Sequence, residues 1–221
     1  MHHYKERKMK HLSKIVLFYL LTSVGNAADP TCHWPDNQIL DSIVPIESGE
    51  NSHASGVVVS NNLVITAAHV LEDYYDTAVE INDALYLASV LLVDKEADIA
   101  LLSVRTDNLY PIPLSKYDLY ESQEVWAAGY PRAQDLHTSS GNFVSKKAEA
   151  IHTSAGIDSG ESGGGLLSCE HGEFVLAGML RGYGAYRTER GLVRLEDYSI
   201  SVAASDIKFT LDLGNLSFNE Y

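Results

Sequence analysis

A serine lies between glycines in the stretch Gly160-Glu161-Ser162-Gly163-Gly164. Glycine adopts backbone angles that other residues reach only at a cost, so this pattern predicts a tight turn that exposes a hydroxyl beside backbone amides. Two further fragments precede the turn, Thr66-Ala67-Ala68-His69 and Ala97-Asp98-Ile99-Ala100-Leu101-Leu102. A histidine, an aspartate and a serine therefore follow one another along the chain in that order.

These three side chains are suited to acyl transfer. A serine hydroxyl becomes a nucleophile when a histidine accepts its proton, and a carboxylate orients that histidine and stabilises its charged form. We therefore expect His69, Asp98 and Ser162 to be catalytic. The oxyanion that forms needs hydrogen-bond donors already in place. The amides of Gly160 and Ser162 are the expected oxyanion hole.

The same Gly-x-Ser-x-Gly pattern also surrounds the nucleophile of α/β-hydrolases, in which an acid and then a histidine follow the serine. After Ser162 the sequence holds one histidine, His171, with Glu170 directly before it. A catalytic acid and histidine that are chain neighbours, so close to the serine, do not fit that arrangement. The sequence therefore disfavours an esterase of this kind.

Short apolar runs alternate with turn residues along the chain, which is typical of an all-β barrel or sandwich. They predict strands over residues 39–46, 56–59, 63–66, 78–81, 85–93, 99–104, 124–129, 141–153, 165–168, 173–180 and 190–199. Two prolines in Tyr110-Pro111-Ile112-Pro113-Leu114 interrupt the pattern and predict a boundary between two halves. Apolar residues over 202–213 predict a C-terminal helix.

The first 27 residues predict a secretory signal peptide. Five Lys or Arg residues precede an apolar run over 15–24, and Gly25-Asn26-Ala27 offers small residues for cleavage. The run is too short to span a bilayer, and no other segment is long and apolar enough. We expect an exported protein, secreted or periplasmic, with no membrane partner after cleavage; an uncleaved anchor is the alternative.

The net charge, the histidines and the cysteines indicate which partners, cofactors and cross-links to expect. The net charge is −14, and residues 1–27 carry five Lys or Arg and one Glu, so the rest of the chain carries −18. Such a surface repels the phosphates of nucleic acids and would attract cationic peptides, although solubility alone also explains it. The histidines lack metal-ligand spacing, so neither a metal nor another cofactor is expected.

Export would allow Cys32 and Cys169 to form a disulfide, and two free thiols are the alternative.

The chain resembles the chymotrypsin-like (trypsin-like) serine peptidases, and is most similar to compact bacterial-type members such as the protease domain of the high-temperature-requirement family. The resemblance rests on five stretches that follow one another through most of the chain after the signal: 55–59, 64–70, 97–102, 125–131 and 153–164. It implies two six-stranded antiparallel β-barrels with a C-terminal helix. His69 and Asp98 would come from the first barrel, residues 28–112, and Ser162 from the second, residues 113–221.

The resemblance also implies a function. It predicts a serine endopeptidase that cleaves proteins or peptides through an acyl-enzyme. A protein of the same fold that binds peptides without cleaving them is the alternative, because intact catalytic side chains do not ensure a working oxyanion turn. The oligomeric state is left open.

Substrate preference in the resembled family depends partly on the residue six positions before the serine, which is Gly156 here. A glycine there does not indicate a preference for Lys or Arg. Gly156, Ile157 and Arg181 are the candidate pocket residues that the resemblance implies. If either Arg181 or His152 faces the pocket, acidic side chains would be favoured; both pointing to solvent is the alternative.

One residue departs from the pattern of the resembled family. Glu161 stands where Asp or Asn is more common. A carboxylate directly before the serine needs a partner, and we expect Glu161 to pair with an arginine such as Arg181.

Overall fold

The computed structural model describes residues 32–72, 74–106, 108–148, 150–189 and 191–218, with side chains described up to residue 213. The predicted signal peptide lies outside these residues. Among the helices within these ranges, none has both the length and the apolar character needed to cross a membrane.

The first sheet is antiparallel and has seven strands. They are β1 (Ile43–Ser48), β2 (Ser52–Ser60), β3 (Leu63–Thr66), β4 (Thr77–Ile81), β5 (Ala84–Leu87), β6 (Ser89–Asp94) and β7 (Ile99–Ser103). Across the sheet their order is β5-β4-β1-β2-β3-β7-β6.

This sheet is an open half-barrel rather than the closed barrel that the sequence predicts. Its two edge strands, β5 and β6, follow one another in the chain and are separated by Ala88 alone. Ala88 is buried, and its amide donates a 2.8 Å hydrogen bond to the carbonyl of Thr77. The single strand predicted over 85–93 is therefore broken at Ala88, so that one half pairs with β4 and the other with β7.

The second sheet closes into a six-stranded antiparallel barrel. Its strands are β8 (Glu124–Gly129), β9 (His137–Lys147), β10 (Ala150–Thr153), β11 (Gly165–Glu170), β12 (Glu173–Thr188) and β13 (Gly191–Ala203). Around the barrel their order is β10-β13-β12-β11-β8-β9. A half-barrel, a closed barrel and a terminal helix together confirm the predicted all-β, chymotrypsin-like fold class.

Three predicted elements are corrected. The single strand predicted over 141–153 is divided by a turn at Ala148 into parts of β9 and β10, which pair with each other. The strand predicted over 39–46 begins only at Ile43, because Asp36 accepts a hydrogen bond from the amide of Ile39 (3.1 Å) and caps a short helix, α1 (Asn37–Leu40). The C-terminal helix, α2 (Ala204–Phe218), begins after residue 203, because residues 202 and 203 are the end of β13 and still pair with β12.

The segment that links the two sheets contacts both of them. The amide of Ile112 donates to the carbonyl of Val58 in β2, and the amide of Ser115 donates to the carbonyl of Leu176 in β12, each at 2.9 Å. Ile112 is itself fully buried. The two prolines beside it leave the segment extended, so its remaining amides are free to bond to each sheet in turn.

Cys32 and Cys169 form a disulfide, with their Cα atoms 5.7 Å apart. The structure therefore has the predicted disulfide rather than two free thiols. The bond joins the segment before α1 to β11 across a sequence separation of 137 residues.

Candidate active site

His69 lies in a short 3-10 turn, Ala68–Val70, just after β3. Its ring Nδ1 lies 2.9 Å from Oδ2 and 3.0 Å from Oδ1 of Asp98. The backbone amide of His69 donates to Oδ1 of the same carboxylate at 2.9 Å. Asp98 therefore fixes both the ring and the backbone of the histidine, and a proton on Nδ1 leaves Nε2 as the proton acceptor.

Asp98 is 5% exposed and has a φ of +60°, a region that Asp tolerates better than most residues. The turn before it is held by Asp94, whose Oδ1 accepts from the amide of Glu96 at 2.9 Å. Burial alone would raise the pKa of the Asp98 carboxyl. The hydrogen bonds from His69 and the charges of His69 and Arg181 outweigh burial and hold that pKa below its ordinary value. The carboxylate is therefore ionised at neutral pH.

Ser162 lies on the turn between β10 and β11. Its hydroxyl donates to the carbonyl oxygen of Arg181 in β12, at 3.2 Å. Its carbonyl accepts from the amide of Ser55 in β2, at 2.9 Å. The serine is thus held between a strand of the closed barrel and a strand of the half-barrel.

The turn that carries Ser162 packs against the segment that leads to His69. At Gly163 a Cβ atom would lie 2.3 Å from Oγ1 of Thr66 and 3.0 Å from the amide nitrogen of Ala67. No residue larger than glycine fits at that distance. Thr66 and Ala67 end β3 just before the histidine turn, so the fold brings the serine and histidine segments into direct contact.

Gly160 has a φ of +96°, and a Cβ there would lie 2.6 Å from the carbonyl oxygen of Tyr130 and 2.7 Å from the amide of Arg132. Its own carbonyl accepts from Oγ of Ser55 at 2.9 Å. Within the residues that the structure describes, the amides of Gly160 and Ser162 donate to no protein acceptor. Both N–H groups are therefore available to a negatively charged oxygen.

Glu161 is completely buried behind this turn. Its Oε1 lies 3.2 Å from Nδ1 of His137 in β9, and its other oxygen accepts from the amide of Asp158. Burial raises the pKa of the Glu161 carboxyl, and the two hydrogen bonds offset part of that rise. The expectation that Glu161 pairs with Arg181 is wrong, because its side-chain partner is His137.

Arg181 contacts Asp98 instead. Its Nε donates to Oδ2 of Asp98 at 3.0 Å. Arg181 also lines a cavity of about 450 Å³, to which the turn after β6, the strand β10 and the helix α2 contribute. Asp94 and Asp206 line the same cavity. The ring of His152, the other candidate for binding acidic substrates, lies 2.6 Å from the hydroxyl of Tyr198.

The other two candidate pocket residues, Gly156 and Ile157, lie together in a separate cavity of about 420 Å³. Its floor includes Asp158, whose Oδ1 lies 2.8 Å from Nη1 of Arg194 and whose Oδ2 lies 2.7 Å from Nη2 of Arg132. Slight burial would raise the pKa of Asp158, but the amide of the next residue and the two guanidinium groups lower it. The charge of Asp158 is therefore already paired with two arginines.

Three residues of this region, His137, Arg132 and Arg194, were missed by the sequence reasoning. None belongs to a recognisable motif, and each meets its partner only through folding. Across the described part of the chain, no three His, Cys, Asp or Glu side chains are grouped as a metal site would require.

The span that carries the three central side chains matches a known protein family. A family model described as "Trypsin-like peptidase domain" covers residues 54–176, which is more than half of the 221 residues and includes His69, Asp98 and Ser162. The chain therefore belongs to the trypsin-like peptidase family.

Its relatives include proteases of the high-temperature-requirement type. It is 33% identical over 147 residues to "Serine protease HTRA2, mitochondrial" of Bos taurus, covering 60% of this chain and 31% of that protein. It is 30% identical over 150 residues to "Probable periplasmic serine endoprotease DegP-like" of Halomonas elongata, again covering 60% and 31%. The chain thus spans about a third of the length of these curated relatives.

Solved structures share the fold at low sequence identity. The serine endoprotease from Yersinia pestis has a TM-score of 0.68 and 19% identity, covering 82% of this chain and 68% of that chain. The active form of the Rv3671c protease from M. tuberculosis has a TM-score of 0.63 and 20% identity, covering 79% and 81%. These structures confirm the fold, and the family model and the curated relatives confirm the family resemblance.

Proposed function

We propose that this protein is a secreted serine endopeptidase that hydrolyses peptide bonds through Ser162, His69 and Asp98. The observation that carries the proposal is the placement of His69. Its Nδ1 is bonded to the buried, ionised carboxylate of Asp98, and its turn directly follows Thr66 and Ala67, which pack against the Ser162 turn. This placement supports His69 as the proton acceptor that acyl transfer by serine requires.

The first step is proton transfer. The Ser162 hydroxyl exchanges its hydrogen bond to the Arg181 carbonyl for one to Nε2 of His69, by rotation about its Cα–Cβ bond. Catalytic hydrogen bonds of this kind often tighten only when substrate binds. As Oγ attacks the peptide carbonyl, Nε2 takes the proton, and the charge of Asp98 stabilises the imidazolium.

The second step places negative charge on the former carbonyl oxygen. The amides of Gly160 and Ser162, which lack protein acceptors, donate to it. Each such donor contributes about 3–4 kcal/mol to the transition state. His69 then gives its proton to the leaving amine, so an acyl-enzyme remains on Oγ of Ser162. A water molecule, deprotonated by the same ring, then attacks the acyl carbon; the ring returns that proton to Oγ of Ser162 as the ester bond breaks and the acid product leaves.

Export is supported by the sequence of residues 1–27, in which a basic start precedes an apolar run and small residues. The units over 28–112 and 113–221 would then supply the histidine and aspartate from one side and the serine from the other. Gly156 and Ile157 remain the proposed pocket residues for the substrate side chain. The negative charge of the chain supports peptides without strong acidic character as substrates.

The direct test is hydrolysis of a mixed peptide library by the purified protein, followed by mass spectrometry of the products. We expect cleavage by the unmodified chain, a fall of about 10⁶-fold in Ser162→Ala, and a fall of about 10⁴-fold in Asp98→Asn. The exposed Asp118→Asn is the matched control and should leave cleavage unchanged. Activity of Asp98→Asn within about tenfold of the unmodified chain would contradict the role given to Asp98.

One observation favours the alternative of a peptide-binding module. In the structure the Ser162 hydroxyl is bonded to Arg181 rather than to His69. If that arrangement persists when a peptide binds, peptides would be held and not cut. Binding of library peptides by both the unmodified chain and Ser162→Ala, with no cleavage by either, would establish this alternative.

A further inference from the structure

Arg181 touches two members of the proposed catalytic set at once. Its Nε donates to Oδ2 of Asp98 at 3.0 Å, and its backbone carbonyl accepts from the hydroxyl of Ser162 at 3.2 Å. These residues are 83 and 19 positions away in the sequence. One residue of β12 therefore connects the aspartate of the half-barrel with the serine of the closed barrel.

We propose that Arg181 is a positioning residue of the catalytic centre, which fixes the carboxylate of Asp98 and through it the ring of His69. The proposal rests on the serine peptidase function proposed above. Arg181 acts through Asp98 and does not itself touch the reacting atoms by its side chain.

The positioning role of Arg181 follows from the number of hydrogen-bond donors to one carboxylate. Asp98 accepts from the ring and the amide of His69 and from Nε of Arg181. Donors to both oxygens hold the plane of the carboxylate, which in turn holds the imidazole. Loss of the guanidinium frees one oxygen, so the carboxylate can rotate and the ring can leave the orientation needed for proton transfer.

The other charged groups around Arg181 are acidic. Asp94 at the end of β6, Glu96 in the turn after it and Asp206 from α2 line the same cavity as Arg181. The acceptor of the Nε hydrogen bond is nonetheless Asp98, whose side chain is 7% exposed while that of Arg181 is 48% exposed. The bond therefore joins an accessible guanidinium to a buried carboxylate.

The test is the measurement of kcat and KM for a cleaved peptide in Arg181→Met, Arg181→Gln and Arg181→Lys. In the two neutral variants we expect kcat to fall about tenfold or more while KM stays close to that of the unmodified chain, because a loosened His69 ring slows proton transfer and leaves peptide binding in place. In Arg181→Lys, which keeps the charge and loses the planar fork, kcat should recover in part. Arg187→Met, an exposed arginine on the same strand, is the control and should leave both constants unchanged.

Arg181→Gln keeps a donor where Arg181→Met does not, so it preserves the test if Arg181→Met fails to fold. An unchanged kcat in both neutral variants, an equal fall of kcat in Arg187→Met, or no recovery of kcat in Arg181→Lys would overturn the inference. Failure of the unmodified chain to cleave at any pH would instead overturn the proposed function. The two failures are therefore distinguishable.

Discussion

The buried carboxylate of Glu161 lies 3.2 Å from the ring nitrogen of His137. Since Glu161 directly precedes Ser162 and its other oxygen binds the amide of Asp158, this pair holds the serine turn from inside the barrel. A buried carboxylate without a partner is costly, so the turn depends on a histidine that lies 24 positions earlier in the chain.

Replacement of His137 by alanine should destabilise the protein through Glu161. Leaving the buried carboxylate without this partner costs about 1–3 kcal/mol in the free energy of unfolding, measured by denaturant titration. In a Glu161→Gln background, where no buried charge remains, the same replacement should cost distinctly less. Equal costs in the two backgrounds would show that His137 stabilises the fold independently of Glu161.

Replacement of Gly160 by alanine should abolish the oxyanion turn. A Cβ would lie 2.6 Å from the carbonyl oxygen of Tyr130, and the φ of +96° disfavours any residue with a side chain. We expect the rate of peptide cleavage to fall about 10²-fold or more. Ser159→Ala changes the neighbouring exposed residue and should cleave normally. Normal cleavage by Gly160→Ala would contradict the proposed role of this turn.

Asp158 should stabilise the protein against acid. Its pKa is lower in the folded chain than the ordinary value of 3.8, so the folded form binds fewer protons than the unfolded form. The stability it contributes is therefore present above about pH 4 and is lost as the pH falls through its folded pKa. Asp158→Asn should flatten the pH dependence of the unfolding free energy below about pH 4. An unchanged slope would contradict the paired arrangement with Arg132 and Arg194.

The disulfide should stabilise the chain without taking part in the chemistry. Cross-linking residues 137 positions apart contributes about 5 kcal/mol in the chain-entropy model. The double variant Cys32→Ser, Cys169→Ser should unfold at lower denaturant concentration, and its folded fraction should cleave peptides at the unmodified rate. Reductant should lower the stability of the unmodified chain and leave that of the double variant unchanged. Stability that does not respond to reductant would contradict this account.

The parts of the site that the sequence predicted are those encoded locally. Glycines around Ser162 mark a turn wherever they occur, and the apolar runs beside His69 and Asp98 mark the strands that carry them. The strands predicted over 56–59 and 63–66 lie in β2 and β3 for the same reason, because turn residues separate two apolar runs.

The parts that the sequence missed depend on long-range packing. Glu161 finds His137 and Asp98 finds Arg181 only when β9 and β12 are in place, and no local pattern marks either partner. The break at Ala88 likewise arises from its hydrogen bond to Thr77 in another strand. The cap of α1 by Asp36 is a local contact, but the apolar run over 39–46 is equally typical of a strand, so the short helix was not predicted.

The central claim is that Ser162 is a nucleophile activated by His69. Labelling with a fluorophosphonate probe, followed by digestion and mass spectrometry, tests it without knowledge of the substrate. We predict an adduct on Ser162 of the unmodified chain and of Ser159→Ala, with labelling close to background in His69→Ala. No adduct between about pH 6 and about pH 9, or equal labelling of Ser162 in His69→Ala, would contradict the account.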